Sequence, residues 1–168
     1  QPMASIWDGL QLSGFVPVDD KDPLFQMGNI FSKICLTPTY LFDSTKGIAA
    51  LKISTSLHTI SEYRDIYFLL QYPVKGTIAD IQIILPNLLS DGDEGKPQTT
   101  DELNQIINKL NSQYAGVTLA VVDGCVRAVS AMTLLCGNIN TRLLIRNYQR
   151  FLGTAAAMYD DCATNCLV

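Results

Sequence analysis

Histidine is almost missing from this chain: His58, in "SLHTI", is the only one in 168 residues. No cysteine or serine-rich turn lies beside it, so a triad built on an imidazole or a multi-histidine metal site has no local footing. Net positive charge is missing too. Twelve Lys and Arg stand against sixteen Asp and Glu, a balance of −4, with an isoelectric point near 4.8. That balance works against phosphate binding by bulk attraction and leaves only a local basic patch open, and the aromatics are not interleaved with Arg or Lys. No window approaches 18 uninterrupted apolar residues, which excludes a helical membrane span. The glycine–lysine pattern of a phosphate loop and the G-x-S-x-G elbow are both absent. We therefore expect no cofactor, no metal, no catalytic residues and no nucleic-acid partner.

Cysteine is present but thinly spread, as Cys35, Cys125, Cys136, Cys162 and Cys166. An odd, scattered set is not a disulfide framework. Cys162 and Cys166 sit one helical turn apart, in poor geometry for a disulfide and two ligands short of a zinc site. The expected role of these thiols is that of small buried hydrophobes. The chain opens on Gln1 rather than Met and carries no basic segment followed by an apolar one. We read a processed or trimmed start, with the cytoplasm as the expected compartment and a processed secreted chain as the alternative.

Apolar content of 48% and charged content of 17% are globular values, and the length suits one domain over 1–168. Residues 1–21 carry Pro2, Gly9, Gly14 and Pro17 and read as an irregular arm with a short strand around Leu10–Val16. Asp22 and Pro23 then suit the cap and first position of a helix, with Leu24, Met27, Phe31 and Ile34 at helical spacing. Gly28 opposes that helix by about 1 kcal/mol relative to Ala.

Strands follow. "TYLFD" and "IAALKISTSL" flank a turn at Lys46-Gly47. "DIYFLLQYPVKGTIADIQIIL" folds back at Lys75-Gly76, with Pro73 ending the first arm or placing it at an edge. "NLLSDGDEGKPQ" reads as a solvated loop from Asn87. Its Asp91, Asp93 and Glu94 miss the ligand spacing of a calcium loop.

Thr99 and Glu102 have capping-box spacing, and Leu103, Ile106, Ile107, Leu110 and Tyr114 form the stripe of the next helix, with Gly116 at its end. Asp123-Gly124 between two apolar runs signals a two-residue hairpin, which places Cys125 at the first residue of the returning strand. Both faces of this hairpin are apolar, so helices should cover one side and something else part of the other.

Asn140 caps the last helix, whose stripe is Leu144, Tyr148, Phe151, Leu152, Ala155, Tyr159 and Cys162. Gly153 and Ala157 would admit a close backbone. Asp160 and Asp161 oppose the helix dipole, so the helix is expected to stop near them. Arg142, Arg146 and Arg150 repeat on another face. They read either as a solvated face or as a basic ridge that holds an acidic peptide or phosphate.

Short turns between successive strands mean antiparallel pairing, and the late helices must cover one face. The expected fold is α+β: an antiparallel sheet of five to six strands with two long C-terminal-half helices packed on one face. From about Asp65 to Asp161 the order resembles the small α+β fold of type III secretion chaperones and the YbjN-like family, written helix, three strands, helix, hairpin, helix. The segments carrying the likeness are "TTDELNQIINKLN", "VTLAVVDGCVRAVSAMTL" and "TRLLIRNYQRFLGTAAAMYDD". Residues 1–21 and the additional strand signals lie outside it.

The resemblance implies a non-enzymatic, chaperone-like protein that forms a homodimer and binds a protein partner. It transfers no catalytic residues. A small-molecule sensor with a pocket between sheet and helices is the competing reading. A site assembled from scattered residues such as Tyr63, Arg64 and Asp65 is a third.

Overall fold

Every strand pairing in the sheet is antiparallel. The computed structural model describes residues 6–57, 63–89, 100–122 and 124–166, the side chains of 100 and 163–166 excepted. His58, Asp91, Asp93, Glu94, Thr99 and Asp123 lie outside the described residues. The elements are β1 (Ser13–Gly14), α1 (Pro23–Lys33), β2 (Thr39–Asp43), β3 (Ile48–Ser56), β4 (Tyr63–Gln71), β5 (Ile78–Leu89), α2 (Thr100–Gln113), β6 (Thr118–Val122), β7 (Cys125–Leu135) and α3 (Thr141–Cys166). They give an α+β fold with one seven-stranded sheet, ordered β1-β2-β3-β4-β5-β7-β6. The sheet thus has seven strands rather than five to six. The additional one is β1, two residues of the arm that pair with Phe42 and Leu41 of β2. The described helices are not long and apolar enough to cross a membrane.

Alternation along the strands sorts the side chains into two clusters. Leu51, Ile53, Phe68, Ile81, Ile83 and Ala128 face one way, into a core shared with Phe31 of α1, Ile107 of α2 and Phe151 of α3. All three helices therefore cover the same face. Phe31 lies at the junction, its ring 5.0 Å from Phe68 and 5.4 Å from Tyr148. Ala50, Leu69 and Ile84 face the other way, under Trp7, Leu10 and Leu12 of the N-terminal arm.

The turns follow their glycines: Gly47, Gly76 and Gly124 all have positive φ. Val122 pairs with Cys125, so the hairpin loop is the expected two residues. Asn140 caps α3, its Oδ1 accepting from the Leu143 N–H at 3.0 Å. Asp22 caps α1 by accepting the Leu24 N–H at 2.8 Å, and its second oxygen accepts from the Tyr72 hydroxyl. Helix α1 ends in a Schellman motif. The Leu36 N–H reaches the Phe31 carbonyl and the Cys35 N–H the Ser32 carbonyl, both at 3.1 Å, with Cys35 in the left-handed region at φ 67.

Three expectations give way. Helix α3 runs through Asp160 and Asp161 to Cys166. The Tyr114 hydroxyl at the end of α2 donates to Asp161 Oδ2 at 2.6 Å, so a tertiary bond holds the turn that the dipole disfavours. Gly153 is exposed and a Cβ there would meet nothing within 4 Å, so no backbone approaches it. Strand β5 continues through Pro86 to Leu89, taking in Asn87–Leu89, because Leu88 and Leu89 are buried.

The outer edge of β6 is occupied at Leu119 by a side chain. Asn111 of α2 donates from Nδ2 to the Leu119 carbonyl at 2.9 Å and accepts the Leu119 N–H on Oδ1 at 2.8 Å. One amide thus occupies both backbone groups of Leu119, on a strand that ends the sheet.

Gly28 has a packing reason. A Cβ built there would stand 2.7 Å from Tyr40 Cζ, and closer still to the hydroxyl. Helix propensity favours Gly28→Ala by about 1 kcal/mol. We expect the opposite sign, a loss of about 1–3 kcal/mol from overpacking, in urea unfolding. In a Tyr40→Ala background the same replacement should become stabilising. A gain with Tyr40 present would show that its ring yields freely.

Candidate functional site

The sheet face away from the helices holds the one buried, ion-paired arginine among the described residues, and the arm comes to it. Trp7, Asp8, Gly9 and Leu10 form a turn closed by the Leu10 N–H donating to the Trp7 carbonyl at 3.2 Å. Gly9 occupies the third position at φ 74, where a side chain would be strained. Lys46 Nζ donates to the Asp8 carbonyl at 3.2 Å. The Trp7 ring lies 4.5 Å from that of Tyr67 on β4.

Asp43 moors the arm farther along. Its Oδ2 accepts the Gln11 N–H at 2.9 Å. Its Oδ1 accepts those of Thr45 and Lys46 at 2.9 and 3.0 Å. One buried carboxylate thus closes the β2–β3 turn and holds the arm to it. The Gln11 and Lys46 N–H groups keep its pKa below the usual carboxylate value, against the effect of burial.

Arg127 belongs to β7. Its neighbours Val126 and Ala128 are fully buried toward the helices, so alternation turns Arg127 to the arm. Opposite it the β5–β7 register shifts between Leu85↔Ala128 and Leu89↔Val126. Pro86, Asn87 and Leu88 therefore face Arg127 alone, a bulge that suits a proline without an N–H. Arg127 is only 8% exposed. Its Nη1 meets Asp8 Oδ1 at 2.7 Å, while the Asp8 side chain stays 43% exposed. Its Nε is buried and has no hydrogen-bond partner.

Beside this pair lies a cleft of about 410 Å³ lined chiefly by Trp7, Asp8, Leu10, Asn87, Cys125 and Arg127. Its size is that of a small-ligand or side-chain pocket. Chemically it offers a guanidinium fork for a carboxylate, an aromatic wall and an amide. It lies on the sheet face opposite to the one where a pocket between sheet and helices was expected.

The residues singled out in the sequence are distributed differently. Arg142, Arg146 and Arg150 are all exposed on α3, across the sheet from the cleft, and among the described residues none of them forms an ion pair. Tyr63, Arg64 and Asp65 do not converge, since Arg64 points to the opposite face of β4 from its two neighbours. Cys162 is buried core, as expected, but Cys125 and Cys136 are half-buried and Cys35 is exposed. Cys35 stands out because it serves as the left-handed cap of α1 rather than as filling. Burial pushes the Cys136 thiol pKa up, away from nucleophilic use. The structure brings Cys125 and Arg127 into one cleft, yet Arg127 pairs with Asp8.

Sequence reasoning passed over Trp7 and Asp8. The available signal was "WDGL", a turn tetrapeptide holding the chain's one tryptophan. No known family matches the chain, and no curated protein is significantly similar to it.

The mooring carboxylate makes arm docking depend on pH. Asp43 titrates lower when folded than its usual value of about 3.9. Its contribution is therefore complete above that value and is lost as pH falls through the depressed one. We expect Trp7 emission to shift to the red below about pH 4 while far-ultraviolet dichroism persists. Asp43→Asn should show the loosened arm already at neutral pH. The same transition in both chains would remove Asp43 from this role.

Proposed function

We propose that the chain is a non-enzymatic protein-binding module, and that its recognition surface is the arm-bearing face of the sheet. The observation that carries this reading is the second apolar cluster. Ala50, Leu69 and Ile84 are fully buried on a face that no helix covers, beneath a short peptide segment held by Trp7, Leu10 and Leu12. A surface that already seats one extended segment is suited to seating another. The element order around α2, the β6–β7 hairpin and α3 supports the chaperone-like resemblance. The fold has one strand more between α1 and α2 than that pattern.

The same face carries further apolar surface beyond the arm. Ile78 and Leu135 are register partners and remain 55% and 61% exposed. We assign this strip to self-association. Light scattering should then report twice the chain mass of 18.5 kDa, reverting to one chain in Ile78→Glu/Leu135→Glu. A monomeric wild type would reject the assignment.

Peptide selection on the immobilised chain tests the main reading. Displayed random dodecapeptides should enrich for binders that alter Trp7 emission. Failure to enrich any binder over repeated rounds would count decisively against a protein-binding module.

A further inference from the structure

We propose that the arm is a built-in competitor at this surface. The partner segment it mimics has an aromatic residue followed by a carboxylate, which take the places of Trp7 and Asp8. This rests on the reading of the chain as a protein-binding module and names the chemistry of what it binds.

Arg127 is the first ground. A buried charged donor without a partner is rare and costly in a folded chain. Arg127 is nine-tenths buried, and its Nε is such a donor. Asp8 reaches Nη1 alone, at 2.7 Å. It does so from the rim, because the turn that presents it is pinned by Lys46 at the Asp8 carbonyl. A guanidinium edge is built to grip a carboxylate with two parallel donors. A segment not tied to the β2–β3 turn can set its carboxylate deeper, across Nη and Nε together.

The second ground is room. The β5 bulge sets three residues opposite Arg127 and opens the ladder there. The cleft left beside the arm is about 410 Å³, so the arm does not fill the space that the bulge creates.

The third ground is the mode of attachment. Residues 7–12 contribute to the smaller cluster alone and make none of the helix-side core. Strand β1 holds to β2 through only two residue pairs. Lifting the arm therefore leaves six strands, three helices and the main core in place, and such a segment opens far below the cost of global unfolding. The occupant is also chemically defined by what sits there now: a ring against Tyr67 at 4.5 Å and an acid on Arg127.

The probe is the arm's own sequence from Ile6 to Leu12 with phenylalanine in place of tryptophan, acetyl-IFDGLQL-amide, added to the full chain. The peptide lacks tryptophan, so Trp7 alone reports. We expect a saturable red shift of its emission as the arm is displaced. The peptide with asparagine for aspartate should bind about ten-fold more weakly, the scale of a lost charge-assisted hydrogen bond. Arg127→Lys keeps the charge without the fork and should erase that discrimination. A labelled peptide should bind Trp7→Ala/Asp8→Ala about ten-fold more tightly than the wild type, because the competitor is gone. Equal binding of the aspartate and asparagine peptides to the wild-type chain overturns the proposal without recourse to any variant. Binding that leaves Trp7 emission unchanged does so as well. If selected dodecapeptides bind while this probe does not, the aromatic–acidic assignment falls and the binding module stands. If nothing binds at all, both fall.

Discussion

The central strands are apolar on both faces, and that is the constraint from which the architecture follows. In β4, Ile66, Phe68 and Leu70 are buried toward the helices, while Tyr67 and Leu69 point the other way. In β5, Ile83 and Leu85 face one side and Ile84 the other. A sheet of this kind exposes a cluster of large side chains unless both surfaces are covered. Three helices close one surface. Among the described residues there is no fourth, and Trp7, Leu10 and Leu12 ahead of β1 supply the second cover. Residues 7–12 do not roof the whole seven-stranded sheet. They protect the middle, leave the strip at Ile78 and Leu135 open, and create at their margin the cleft around Arg127.

Local preferences yield to this packing at identifiable points. Gly28 is a poor helix residue that survives because the Tyr40 ring needs its space. Cys35 sits where glycine is usual, since the Schellman bonds to Phe31 and Ser32 require a left-handed residue there. Asp161 continues a helix against the dipole because Tyr114 holds it from the neighbouring helix. In each case a contact far away in sequence outweighs a preference of a fraction to about 1 kcal/mol.

These are also the places where the sequence was hard to read. Turn chemistry acts over a few residues, so the hairpins at Lys46-Gly47, Lys75-Gly76 and Asp123-Gly124 and the caps at Asp22 and Asn140 were legible. Periodicity placed the apolar faces of α2 and α3 correctly for the same reason. The arm was not legible beyond its irregularity. A two-residue strand has no period, and the bond from Arg127 to Asp8 spans 119 positions. The bulge at Pro86 was hidden as well, because a proline followed by asparagine reads as a turn until its partner strand is known. The arginine repeat on α3 was visible by its spacing. Spacing alone, however, placed it on an exposed helix face and not beside the cleft.

The side-chain lock on β6 has a consequence for the lifetime of the protein. Asn111 can serve Leu119 only as an amide, since one end must donate and the other accept. Loss of ammonia from that single group, the ordinary chemistry of protein ageing, would turn it into an aspartate. The new oxygen would face the Leu119 carbonyl with no proton to share. The aspartate could still accept the Leu119 N–H, so α2 would keep one of its two bonds to this edge strand and lose the other, leaving that carbonyl unguarded where a second chain could pair.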